Sequence, residues 1–325
     1  MTTTRRTVLL QAAALAALPL AARAQNYPSK PIRVIVPFGA GGIADLTARA
    51  VGQALSEKVG QPVVIENKPG AGGVGAGDQV ARAEPDGHTL LLMSNATAVS
   101  AGLFNKLPFD AQKSFAPVSL LGVFDMAIVV PANSRWKTLN DLLAEAKANP
   151  GKINLGTIAV GSTQNLAAEL FKTTAGIDLQ VVPFNGTPAV VTALRGGSID
   201  AAVEILGPIK GQITGGALRA LAVMGDKRAA SLPQVPTVAE SGGPLAGFNV
   251  ASWNALAAPA GTPRERVQHL NRELQAVLAQ PALRQKLAAI DVEARGGTPE
   301  QLGTLLASEI KRWSEVITRA NIPRQ

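Results

Sequence analysis

Cysteine is absent from this 325-residue chain, histidine occurs only twice, and aromatic residues make up 4% of it. Without a thiol there is no disulfide framework, no thiolate nucleophile or ligand, and no lipid-bearing cysteine behind an export signal. His88 and His269 lie far apart, one opening a strand and the other on a helix beside Gln268 and Arg272, which gives no metal pair. No G-x-S-x-G elbow occurs, and Ser162 has no base near it in sequence. The inventory for catalysis is therefore thin, and neither a metal nor a cofactor is expected. Lysine and arginine are dispersed, without a basic run or interleaved aromatics, so no nucleic-acid partner is expected.

Long apolar runs are also missing, apart from Val8 to Leu20. Arg5 and Arg6 precede that run and Ala22-Arg23-Ala24 follows it as a small-x-small cleavage site, the pattern of an export signal over residues 1–24. Thr4-Arg5-Arg6 fits the twin-arginine route, and an ordinary secretory signal fits as well. The run is shorter than the ~20 residues a spanning helix needs, and no later segment replaces it. The expected product begins at Gln25, is soluble, and sits in the periplasm. Loss of Arg5, Arg6 and Arg23 lowers the formal charge from +8 to +5.

What is present is a chain 46% hydrophobic and 17% charged, long enough for more than one domain of alternating strands and helices. Ile32 to Asp45 shows the unit clearly: an apolar β-branched run, the turn Gly39-Ala40-Gly41-Gly42, then Ile43, Leu46, Ala50 and Ala54 at helical spacing. Glycines at a helix N-terminus let an anion approach unpaired backbone N–H groups, so Phe38, Gly39, Ala40, Gly41, Gly42 and Asp45 form a candidate anion site. Gly39 to Ala44 also satisfies G-x-G-x-x-[GA], with Glu66 at the distance of a ribose-binding acid, which describes a dinucleotide-binding oxidoreductase. Pro37 and Phe38 stand where that fingerprint has its first glycine follow the strand directly.

The pattern repeats down the chain. Val63 to Ile65 is a second strand, glycine-dense Asn67 to Gly77 a structural turn, and Asp78 to Ala83 a helix. His88 to Met93 is a third strand, and its end offers Ser94, Asn95 and Thr97 as hydrogen-bonding candidates. Val118–Val123 and Met126–Val130 read as two strands, Thr138-Leu139-Asn140-Asp141 as a capped helix start. Gly161, Ser162, Thr163, Gln164 and Asn165 lead into another helix. Phe184, Asn185 and Gly186 lead into a third, with Thr187 suited to the cap and Pro188 to the first helical position. Ile199 to Glu204 is a strand ending in an acid, and Leu218 to Met224 another strand. Thr262-Pro263-Arg264-Glu265 and Thr298-Pro299-Glu300-Gln301 match capping boxes that open structural C-terminal helices.

Tyr27 to Arg33, Pro37 to Asp45, Asn67 to Gly73, Pro85-Asp86-Gly87, Leu232 to Glu240 and Ala258 to Pro263 together resemble the tripartite tricarboxylate transporter receptor family, the Bug-type extracytoplasmic solute receptors. The resemblance covers nearly all of Tyr27 to Ile322. It implies an α/β, two-lobed periplasmic binding protein fold of type II, each lobe a mostly parallel sheet flanked by helices. Lobe I would comprise 25–123 plus 248–325, and lobe II 124–247. The ligand would be a small carboxylate in the interlobe cleft, held by main-chain N–H groups and bridging waters from Phe38–Asp45 and Gly161–Asn165. A monomer serving membrane subunits of a tripartite tricarboxylate-type transporter is expected, and an exported enzyme acting on a small carboxylate is the alternative. Family members often carry histidine at Asn165, lysine at Asn185 and aspartate at Glu204, positions that would tune ligand choice. Glu204, facing the cleft, would meet an amine, hydroxyl or water on the ligand. Dicarboxylates, amino acids, aromatic acids and nicotinate-like compounds all present the one carboxylate such loops recognise.

Overall fold

The computed structural model describes residues 27–319 and 322–325, so the expected signal segment lies outside the described residues. Ten strands occur among them: β1 (Ile32–Val36), β2 (Val63–Asn67), β3 (Thr89–Ser94), β4 (Phe115–Pro131), β5 (Asn154–Ile158), β6 (Gln180–Phe184), β7 (Ala201–Ile205), β8 (Leu218–Val223), β9 (Ala251–Pro259) and β10 (Glu293–Ala294). The helices are α1 (Ile43–Val59), α2 (Val74–Ala81), α3 (Asn95–Leu103), α4 (Leu139–Ala148), α5 (Thr163–Ala175), α6 (Thr187–Arg195), α7 (Leu206–Thr214), α8 (Arg264–Leu278), α9 (Pro281–Ala289) and α10 (Pro299–Arg319).

The strands form two sheets of matching design. In one the order is β2-β1-β3-β9-β4, in the other β6-β5-β7-β4-β8. Each begins with three parallel strands and then receives two antiparallel neighbours. The inner one of those, β9 or β4, enters from the other sheet's part of the chain. β4 belongs to both: Phe115 to Asp125 pairs with β9, and Met126 to Pro131 with β7 and β8. The two strands expected at Val118–Val123 and Met126–Val130 are thus one. Phe124 and Asp125, between the two, stay paired with Ser252 and Ala251. A second crossing runs beside it, where Met224 N–H donates to Met126 O at 2.8 Å and Val250 N–H to Met224 O at 2.7 Å.

Helices cover the sheets with their apolar stripes. α1 buries Ile43, Ala44, Ala48, Val51 and Leu55, and α10 buries Leu302, Leu306, Trp313 and Ile317. The capping box expected at Thr298 is present, with Gln301 N–H donating to Thr298 Oγ1 at 3.2 Å and Thr298 N–H to Gln301 Oε1 at 2.8 Å. The one expected at Thr262 is not. Its hydroxyl donates to Pro259 O at 2.7 Å, and Pro263, with extended ψ, takes the N-cap place without a side-chain bond. Thr187 is likewise not a cap: Gly186 is, and Thr187 is the first helical residue.

The two lobes touch. Gly72 N–H donates to Val160 O at 2.8 Å, Thr163 Oγ1 lies 3.2 Å from Ser252 Oγ, and Lys210 Nζ pairs with Asp291 at 3.0 Å. Closest of all is Gly207 in α7, where a Cβ would fall 1.8 Å from Ile290 O, ahead of β10 on the opposite sheet. Gly207→Ala should therefore hold the lobes apart. Small-angle scattering should give a larger radius of gyration than wild type, while urea stability stays equal or rises slightly, since alanine favours the helix by about 0.5–1 kcal/mol. An unchanged radius would contradict this packing.

Candidate functional site

Five helices start where the strands of both sheets end, and all five point their N-termini into the gap between lobes. α3 is capped by Ser94, which accepts from Ala96 N–H at 3.2 Å in a box with Thr97. α5 is capped by Ser162, which accepts from Asn165 N–H at 3.1 Å. The caps of α1, α6 and α7 are Gly42, Gly186 and Ile205, and none supplies a side-chain hydrogen bond. In α6 and α7 a proline, Pro188 and Pro208, takes one first-turn donor away, and Ala189 N–H already donates to Gly186 O at 3.1 Å. The donors that remain, most of them on α1, can meet an anion, an interaction worth roughly 0.3–1 kcal/mol per terminus and up to ~2 when partly buried.

The first-turn loops of the two sheets are built alike. Gly41 and Gly161 have φ of 81° and 79°, a left-handed backbone that favours glycine. Each N–H is tied to a side chain four residues on, Gly41 to Asp45 Oδ2 at 3.0 Å and Gly161 to Asn165 Oδ1 at 3.4 Å. Asp45 also pairs with Arg49 at 2.9 Å. Burial pushes its carboxyl up, but hydrogen bonds from Arg49 and Gly41 N–H outweigh that and hold it below the usual carboxylate range. Asp45 and Asn165 thus act on the loops, not on the space between them.

That space is a narrow cleft between the loops of the two lobes. Of the residues expected from sequence, Phe38, Gly39, Gly42, Ser94, Thr163, Gln164 and Gly186 line it. Ala40, Gly41, Asp45, Asn95, Thr97, Gly161, Ser162, Asn165, Phe184, Asn185 and Glu204 lie outside the lining. Several of these have visible duties elsewhere: Thr97 completes the α3 box, Asn95 Nδ2 donates to Ala251 O at 3.0 Å, and Asn185 O closes against Gly39. Ile43, Ala44, Phe124, Ile158, Thr187, Ile205, Ser252 and Asn254 complete the wall, and no charged side chain is among them.

Sequence reasoning missed Ser252 and Asn254. Their signal was two polar residues two apart within the otherwise apolar strand Ala251–Pro259, hence on one face. Asn254 pairs in register with Ser94, is 1% exposed, and its Nδ2 has no hydrogen-bond partner among the described residues. Glu204 is fully buried behind the wall. Its Oε2 accepts from Thr187 Oγ1 at 3.1 Å, Ile205 N–H at 3.2 Å and Gln164 Nε2 at 3.5 Å, while Oε1 has no partner. Desolvation is the larger effect, and it pushes the carboxyl up to about 7. Glu204 therefore reaches the cleft through Thr187 and Gln164 and not directly.

The dinucleotide reading loses its acid. Glu66 lies opposite Ile35 in β2 and is held by Nε and Nη2 of Arg33, at 2.6 and 2.9 Å. Among the described residues no group of three or more acidic or histidine side chains could hold a metal ion. The model of the "Tripartite tricarboxylate transporter family receptor" matches residues 47–322. The chain belongs to this receptor family. The receptor is 36% identical over 296 residues to protein BugT of Bordetella pertussis, with 90% of each chain covered. Its fold is the two-lobed fold of periplasmic binding proteins. Against the periplasmic binding protein BugD the TM-score is 0.88 at 32% identity, covering 92% of this chain and all of the other. Against Rpa4515 of R. palustris, solved with adipate, it is 0.87 at 32% identity, covering 91% and 99%.

Because Asp45 holds the Gly41 turn in this receptor, Asp45→Ala should cost roughly 1–3 kcal/mol at pH 7 by urea denaturation. The depressed carboxyl contributes stability above its unfolded value near 4 and loses it as pH falls through the folded one. The deficit of the variant should accordingly shrink below about pH 4. A deficit constant from pH 7 to pH 3 would assign the effect to lost packing instead.

Proposed function

We propose that this protein is an exported, soluble periplasmic receptor that captures a small carboxylate between its lobes and delivers it to membrane subunits of the tripartite tricarboxylate type. The observation that carries this reading is the convergence of three uncapped helix N-termini, α1, α6 and α7, on a cleft without a charged side chain. An anion would satisfy the first-turn N–H groups these ends leave over, most of them on α1. The adipate-bound neighbour supports a carboxylate as that anion. Among the described residues no helix is long and apolar enough to cross a membrane, in keeping with a soluble receptor.

Lobe I is taken as 25–123 plus 248–325 and lobe II as 124–247, because β4 changes partners between Asp125 and Met126 and the return crossing lies between Met224 and Val250. Bending at these two crossings opens and closes the cleft. Ligand contacts from both sides favour the closed form, and the membrane subunits read that difference. The cleft is built from one chain, so a monomer suffices. Capture and release need no covalent step.

A thermal-shift screen of the chain from residue 25 onward, against mono-, di- and aromatic carboxylates, amino acids and nicotinamide cofactors, tests this. At about 100 times its dissociation constant a ligand adds roughly 2.7 kcal/mol, a rise of about 2–4 °C. The expected outcome is a shift with at least one carboxylate that is recovered unchanged after incubation. A shift with a dinucleotide alone, or conversion of the carboxylate, would overturn the receptor reading.

A further inference from the structure

The wall of the cleft is uncharged, yet one ionisable group sits a single hydrogen bond behind it. Glu204, at the end of β7, is 0% exposed, and the Thr187 hydroxyl that lines the cleft donates to its Oε2 at 3.1 Å. A threonine hydroxyl has one proton and two lone pairs. With the proton committed to Glu204, only lone pairs remain for the cleft, and Thr187 Oγ1 faces the opposite lobe, 3.7 Å from where a Cβ on Gly42 would stand. Gln164 is placed in the same sense, its Nε2 toward Oε2 at 3.5 Å and its Oε1 left over. Across the cleft stands Asn254, whose buried Nδ2 has no acceptor. The side-chain wall is therefore polarised, with an acceptor at Thr187 and a donor at Asn254.

We propose that the cleft selects a carboxylate that also carries a hydrogen-bond donor, a hydroxyl or an ammonium group, received by Thr187 Oγ1, and that Glu204 is the positioning residue that makes Thr187 an acceptor. This rests on reading the cleft as a carboxylate site. A plain aliphatic acid would set a methylene against the Thr187 lone pairs, leaving a buried acceptor unpaired. Protonation of Glu204 relaxes the polarity. The proton goes to the orphaned Oε1, the neutral carboxyl is a weaker acceptor at Oε2, and the Thr187 proton is no longer committed to it and can turn to the cleft. Among the described residues no charged group faces Glu204: its neighbours are Ala127 in β4, Gln164 in α5, Thr187 in α6 and the Ile205 N–H leading into α7. With its carboxyl pushed up to about 7 by burial, the change falls between pH 6 and 8. The two histidines lie elsewhere, both edge-on to Tyr27.

Calorimetric titration of the protein with succinate, L-malate and L-aspartate at pH 6 and pH 8 tests this, malate and aspartate distinguishing hydroxyl from ammonium. At pH 8 at least one of the two should bind about tenfold or more tighter than succinate, and that preference should shrink at least threefold at pH 6. Glu204→Gln should make the preference independent of pH, and Thr187→Val should abolish it. Thr187→Ser, which keeps the hydroxyl, should retain it and controls for folding. Succinate binding as tightly as both others at pH 8, or a preference that survives Thr187→Val, overturns the inference while leaving the receptor reading intact. Binding of none of the three also overturns it, and the receptor reading then stands or falls on the wider carboxylate screen.

Discussion

Every helix leaves the N–H groups of its first turn without intrahelical partners, and this protein gathers five such ends around one space. Whether an end is satisfied from within decides what the space can do. Ser94 and Ser162 satisfy two of them, so α3 and α5 start firmly and hold the walls. Gly42, Gly186 and Ile205 give the other three no side-chain cap. Unpaired buried donors are costly, so the closed cleft is completed by water or by an anion. A binding site made this way needs no arginine or lysine, and it has none in its wall.

Because dipoles and not charges face the ligand, the position of the backbone matters more than side-chain identity, and the fold supplies that rigidity through its shared strands. β4 and β9 lie next to one another at the centre of the molecule, and β4 continues into the second sheet. The second sheet is thereby anchored by a strand that begins in the first, and the first by β9, which follows directly on the second lobe's segment of chain. The same feature leaves only two short crossings between the sheets, the places where the proposed opening and closing would bend. Lys210 with Asp291, and Gly207 against Ile290, show how closely the surfaces of the two lobes fit.

The local half of this design was legible in the sequence. Gly39 to Gly42 and Gly161 to Gln164 are contiguous stretches whose glycines and small polar residues announce a strand ending at a helix, so the loops were located before any fold was known. Contacts that depend on register were not. Asn254 meets Ser94 only because β9 pairs with β3 across some 160 positions of chain. Thr187 looked like a cap since threonine before proline usually is one, but Gly186 with φ of 134° takes that place and releases the hydroxyl to Glu204. The family resemblance puts Asp45 in the ligand loop and turns Glu204 toward the cleft. In the fold, the first is turned back onto Gly41, and the second sits behind Thr187.

Glu204 also explains how an uncharged wall can discriminate between ligands that share a carboxylate. Backbone N–H groups recognise that carboxylate alone, and would hold any of a dozen acids similarly. A carboxylate in the wall would add discrimination, but it would repel the ligand across a medium of low dielectric. Placed one hydrogen bond back, with its charge screened by the groups that donate to it, Glu204 orients a neutral hydroxyl instead of confronting the ligand. The discrimination then lies in the direction of a single proton, which costs little when matched and leaves a buried polar atom unpaired when not. The orphaned Oε1 and the carboxyl pushed up to about 7 are the cost of keeping that acid out of sight.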